Sequence, residues 1–121
     1  MKKTILSAVI FGLLGAAGCA SVVTVTPLNP SPRPAAKASA AGVELYASAP
    51  PARSHRDVSV IEVEQNGLGD AASLIDDLRS EAAAQGCDAL VLAPPSWRGG
   101  GHSHRVLSGT CIVYTDDPAA R

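Results

Sequence analysis

The side chains best suited to chemistry in this chain are three cysteines, three histidines and a single tryptophan. His102 and His104 flank Ser103 directly after three glycines, in the stretch "SWRGGGHSH". Histidines two apart on a strand project to the same side and can share a borderline metal such as zinc or copper. Two ligands do not close a site, and the third histidine, His55, is distant in the chain. The same stretch also reads as a solvated loop. Trp97 and Arg98 open it. Tryptophan and arginine are the types most enriched in binding hot spots, so the pair is a possible partner-binding anchor. The ring could equally cover the end of a sheet. For turnover the sequence offers no nucleophile elbow, no H-E-x-x-H, no phosphate-binding glycine loop and no Ser-His-Asp set. Asp76 and Asp77 are adjacent in a helical pattern, where neighbours diverge by about 100°, so they make a poor carboxylate pair. No enzyme is expected, no catalytic residue is assigned and no cofactor is called for.

Cys19 is set apart by position. Lys2 and Lys3 precede an apolar run over residues 5–17. As a helix this run spans about 20 Å, short of the roughly 30 Å hydrocarbon core of a bilayer. The layout is that of a secretory signal closed by Ala16, Ala17 and Gly18. A cysteine directly after such a run resembles the lipobox of bacterial lipoproteins, with Ala16 where that family usually has leucine. The resemblance implies cleavage before Cys19, a diacylglyceryl group on its thiol and acylation of the new amino terminus. Two or three chains anchor lastingly where one holds only marginally. Ala20, rather than an aspartate, follows Cys19. By the same resemblance the destination is the periplasmic face of the outer membrane.

Ten Lys and Arg stand against eleven Asp and Glu, and both leader lysines leave with the signal. The mature chain is therefore mildly acidic and lacks the clustered basic surface that nucleic-acid binding needs. Only one small domain fits, and such domains bury a modest share of their surface. With Cys19 carrying lipid, Cys87 and Cys111 remain as an even pair in an oxidising compartment, and a disulfide is expected. The pair lacks the C-x-x-C spacing of redox and metal motifs. A closed loop of about 25 residues gains roughly 3.5 kcal/mol in the chain-entropy picture. A monomer is expected.

The elements that would position these groups follow from patterning. Residues 19–40 hold the lipid site and a Pro/Ala-rich stretch with Pro27, Pro30, Pro32 and Pro34, which exclude a helix. This stretch reads as a solvated tether reaching up to some 60 Å at about 3.1 Å per residue. Deleting residues 27–40 should then leave the domain folded. Valines 22, 23 and 25 could pair as a short strand, but nothing in the sequence anchors them. Residues 41–116 form the domain and 117–121 a tail. "GVELYAS" alternates as a first strand, and "DVSVIEVEQ" is a β-branched second strand. Asp70 is placed to cap a helix on which Ala71, Leu74, Ile75, Leu78 and Ala82 share one face. Asp76, Asp77, Arg79 and Glu81 point away. Gly86 suits the left-handed position that ends it. "CDALVLAPP" and "RVLSGTCIVYT" are two further strands. Pairing them as a hairpin about residue 99 sets position 87 opposite 111, within disulfide reach. The order β-β-α-β-β predicts an α+β fold: one helix on a small, mainly antiparallel sheet, held by one disulfide.

With these elements in order, "VELY", Arg56–Asp57 before a valine-rich strand with Glu62, the alanine-rich helix running into "DALVL", and "GTCIVY" resemble the RcsF family of outer-membrane stress-sensor lipoproteins. The resemblance covers about residues 19–116. It implies a periplasmic α/β domain that contacts other envelope proteins without catalysis, with the membrane held through lipid on Cys19. That family carries two disulfides from four cysteines, where this chain has one available pair. It also has a more basic tether than Arg33 and Lys37 provide. The alternative is a metal- or small-ligand-binding lipoprotein using the Gly/His loop.

Overall fold

The computed structural model of the protein describes residues 21–28, 34–66, 70–99 and 104–116. In chain order these form β1 (Val22–Pro27), β2 (Glu44–Ala47), β3 (His55–Asn66), α1 (Ala71–Ala84), β4 (Ala89–Leu92), β5 (Ser96–Arg98) and β6 (His104–Tyr114). A 3-10 turn, Ala40–Gly42, precedes β2. The sheet order is β1-β3-β6-β4-β2, with β5 also pairing β6.

The spine is the antiparallel β3–β6 pair, which runs from His55 opposite Tyr114 to Asn66 opposite His104. β3 alternates as its sequence requires. Ser59, Ile61, Val63 and Gln65 are buried on one side, while Val60, Glu62 and Glu64 are half-buried on the other. An irregularity between Asp57 and Ser59 leaves Val58 as an extra residue, and Val58 packs against the helix-side core.

α1 lies on the Ile61–Val63 side. Leu74, Leu78, Ala82 and Ala83 meet Ile61, Val63, Leu90, Leu107, Cys111 and Val43 there. Fully burying a leucine is worth about 1.5–3 kcal/mol, so this one face accounts for most of the helix's hold on the sheet. Gly109 on β6 lets the layer close, since a Cβ there would come within 3.2 Å of Leu90 Cδ2 and 3.6 Å of Leu78 Cδ2. The Asp70 side chain accepts from Ser73 N at 2.7 Å, capping the first turn. Gly86, at φ +80°, follows the last turn. Both helix signals expected from sequence are in place. The expected outward set is less uniform: Arg79 Nε donates to Val43 O at 2.9 Å and Asp77 accepts from Ser21 Oγ at 2.8 Å.

The sheet is mainly antiparallel, as expected, but it is mixed, because β2 runs parallel to β4. Glu44 N bonds Asp88 O, so the chain enters β2 at the same end where β4 starts, and the two must run together. The strand order is also more complex than β-β-α-β-β. β1 and β5 add to it, and the helix connects β3 and β4 with β6 lying between them. Finally, part of the supposed tether belongs to the fold. β1 pairs along six residues with β3. Beyond it, Lys37 N donates to Ala83 O at 2.7 Å, and Pro34 and Ala35 cover Gly86 so closely that a Cβ would sit 2.6–2.7 Å from their carbonyl oxygens. Deleting residues 27–40 would therefore remove structure. Residues 29–33, like residues 1–20 with Cys19, lie outside the described residues.

Candidate functional site

The Cys87–Cys111 disulfide is formed, with the Cα atoms 5.4 Å apart. Its geometry differs from the sequence expectation. Cys111 is opposite Leu90, not residue 87. Cys87 sits before β4, in the turn where its N–H bonds Ala82 O. The bridge thus ties the end of α1 to the central strand, and both residues are fully buried in the helix-side core. Burial there makes it a structural staple; nothing about it resembles an exposed redox pair.

Asp88, next to it, was not singled out by sequence. Its carboxylate accepts from Lys37 Nζ at 2.6 Å and from Tyr114 N at 2.8 Å, while its own N–H bonds Ile112 O. One residue so joins the segment after β1, the start of β4 and the end of β6. Beside it, Tyr46 Oη and Tyr114 Oη both donate to Glu44 Oε2 at 2.6 Å. Those two bonds, Tyr114's foremost, hold the Glu44 carboxyl below its ordinary range. Burial, then the bond to Glu44, pushes the Tyr114 hydroxyl up. The Arg53 guanidinium stacks 3.9 Å from the Tyr114 ring centroid and pairs with Asp116 at 2.8 Å. A cleft of about 620 Å³ opens here, lined by Lys37, Glu44, Arg53, Arg56, Asp88 and Tyr114 among others. Of its charged groups, Lys37 pairs with Asp88, Arg53 reaches out to Asp116, and Glu44 accepts from the two tyrosines. Only chain topology could have revealed this cluster, since Glu44 and Tyr114 lie 70 positions apart.

The sheet face opposite α1 is the larger feature. Thr24 and Thr26 of β1, Val60 and Glu62 of β3, Ser108 and Thr110 of β6 and Val91 of β4 share it by register. Ala89, Val106 and Ile112 on the same face are buried, but these others are half-buried or exposed. Among the described residues no second helix lies over it.

At the end of the sheet away from Asp88, β5 carries the expected partner-binding pair. Trp97 is 43 % exposed, with the Arg105 guanidinium 5.0 Å from its ring centroid. Arg98 pairs with Glu62 at 2.8 Å and Glu64 at 3.5 Å. The register sets Trp97 opposite Arg105, on the helix side, and Arg98 opposite His104, on the open side. The two residues therefore point to different faces. His104 Nδ1 is 3.5 Å from Glu64 Oε1, and His55 Nδ1 is 2.7 Å from Arg53 O, at the opposite end of β3. His102 lies outside the described residues. Among the described residues no three His, Cys, Asp or Glu side chains converge as metal ligands, and no helix is long and apolar enough to cross a membrane.

No family model and no curated protein matches the chain. The fold is similar to the crystal structure of a Francisella virulence factor, FvfA, at a TM-score of 0.58 and 11 % identity, over 76 % of this chain and 97 % of that one. At that identity the likeness speaks for the shared fold alone.

Proposed function

We propose that the protein is an RcsF-like lipoprotein, anchored through Cys19 at the periplasmic face of the outer membrane, that works by binding other envelope proteins. Envelope-stress sensing is the role this family reading assigns. The observation that supports contact over turnover is the sheet face away from α1: a mixed-polarity surface, exposed at Thr24 and Thr26 and half-buried from Val60 and Glu62 to Thr110 and Val91, on a scaffold fixed from behind by α1 and the disulfide. The cysteine pairing supports an oxidising compartment, because buried structural disulfides belong there.

Photo-crosslinking in cells tests the reading on the full-length protein. A crosslinker replacing Thr110, at the centre of the open face, should give discrete adducts with envelope proteins. One replacing Ser80, exposed on the outer surface of α1, should give none. Equal labelling from both positions would sink the open face as the binding surface. Separately, Cys19→Ala should abolish palmitate incorporation; normal labelling of that variant would overturn the anchor.

A further inference from the structure

β1 fixes where the anchored end of the chain must emerge. Val22, its first residue, comes three positions after Cys19, so covalent geometry keeps the two Cα atoms within about 11 Å. Val22 is opposite Glu64, Glu64 is opposite Val106, and Val106 is opposite Ser96. The chain leading back to Cys19 therefore leaves the sheet at the end built by Asn66, His104 and Arg98. Most of the exposed large apolar side chains lie toward that same end. The exposed ones among the described residues are Val22, Val23, Leu28 and Trp97, at 61, 41, 48 and 43 %. All but Leu28 fall within two residue rows of Glu64. Trp97, three strands from β1, is about 14 Å across the sheet.

We infer that this end of the sheet, presenting Val22, Val23 and Trp97, is a membrane-contact surface that rests on the bilayer bearing the Cys19 lipid. The inference depends on the reading of Cys19 as the lipidated residue. Its partner is the boundary between headgroups and acyl chains, where an indole places an apolar body beside a polar N–H. Charge contributes little. Among the described residues at this end, Arg98 and Arg105 stand with Glu62 and Glu64, so these residues carry no excess of positive charge to select anionic lipids. The valines and the indole would bind weakly alone, and the anchor supplies the high local concentration that makes the contact persist. The strands then stand away from the membrane. The open face is presented sideways, and the Asp88 end lies at the far end of β3, a 12-residue strand about 40 Å long at 3.3 Å per residue.

The single tryptophan of the chain is its own reporter. The full-length lipidated protein is reconstituted in phosphatidylethanolamine–phosphatidylglycerol vesicles with and without brominated acyl chains. Trp97 emission should be quenched by the brominated lipid. Mass spectrometry of the amino-terminal peptide separates the two ways of failing. An unmodified Cys19 removes the anchor reading, and this inference with it. A lipidated Cys19 with unquenched Trp97 overturns the inference alone. A flexible insert of about 12 residues between Ala20 and Ser21, adding roughly 20 Å of mean reach, should abolish the quenching. Persistence of quenching with the insert would overturn the claim that β1 sets the distance. Replacing phosphatidylglycerol by phosphatidylcholine should leave quenching unchanged, and its loss would overturn the apolar character of the contact.

Discussion

The two ends of the sheet are built on opposite plans. At the Asp88 end, segments far apart in sequence converge on buried or half-buried partners. The disulfide joins α1's end to β6, Asp88 links Lys37 to the Tyr114 backbone, and Gly86 sits under the carbonyls of Pro34 and Ala35. At the Trp97 end, the described side-chain contacts include partly exposed ion pairs and a ring–guanidinium contact. Exposed pairs of that kind are each worth only about 0–1 kcal/mol. Stability is therefore gathered at one end, and the other can be altered, or committed to a surface, at little cost to the fold.

The largest test of that asymmetry is removal of the staple. Changing Cys87 and Cys111 together to alanine should lower the unfolding free energy by about 2–5 kcal/mol, measured by denaturant titration. A loss under about 1 kcal/mol would break the comparison. Gly86→Ala should come next, at about 2 kcal/mol or more. Its φ of +80° strains any side chain, and the added Cβ would lie 2.6 Å from Ala35 O. Trp97→Ala, at the other end, should cost less than about 1 kcal/mol. A larger loss would mean that this end helps hold the fold. The smallest effect concerns acid. Because the folded Glu44 carboxyl titrates below its ordinary value of 4.5, its contribution is present above that value. It is lost as pH falls through the lower, folded one. Glu44→Gln should flatten that part of the pH–stability curve. An unchanged acid limb would remove the two tyrosine hydroxyls from the account.

What could be read beforehand follows the same division between local and non-local information. α1, β3, β4 and β6 announce themselves by periodicity, capping and β-branched runs, and the helix limits at Asp70 and Gly86 hold in the structure. The Cys87–Cys111 bond was legible from cysteine arithmetic, but its register was not. The hairpin arm continues past Pro94 and Pro95 into β5, which sets Arg98 opposite His104 and Leu90 opposite Cys111. β1 was hidden by its neighbours. Its valines and threonines carry ordinary strand propensity, yet the prolines that follow resemble a linker, and an edge strand needs pairing on one side only. The same proline-rich stretch concealed Lys37 as the partner of Asp88. The Glu44–Tyr46–Tyr114 cluster depends on β2, β4 and β6 being neighbours, and no local signal encodes that adjacency.

β1 also gives the molecule a mechanical character. A pull applied at Ser21 and resisted at the Asp88 end runs along the strand axis, because β1 points from one end of the sheet to the other. The six paired rows of β1 and β3 then carry the load in shear, sharing it side by side. A pull across the strands would instead open them one row after another, like a zip. The first described element of the chain is thus oriented so that tension applied at Ser21 is spread over the whole ladder before any single hydrogen bond must fail.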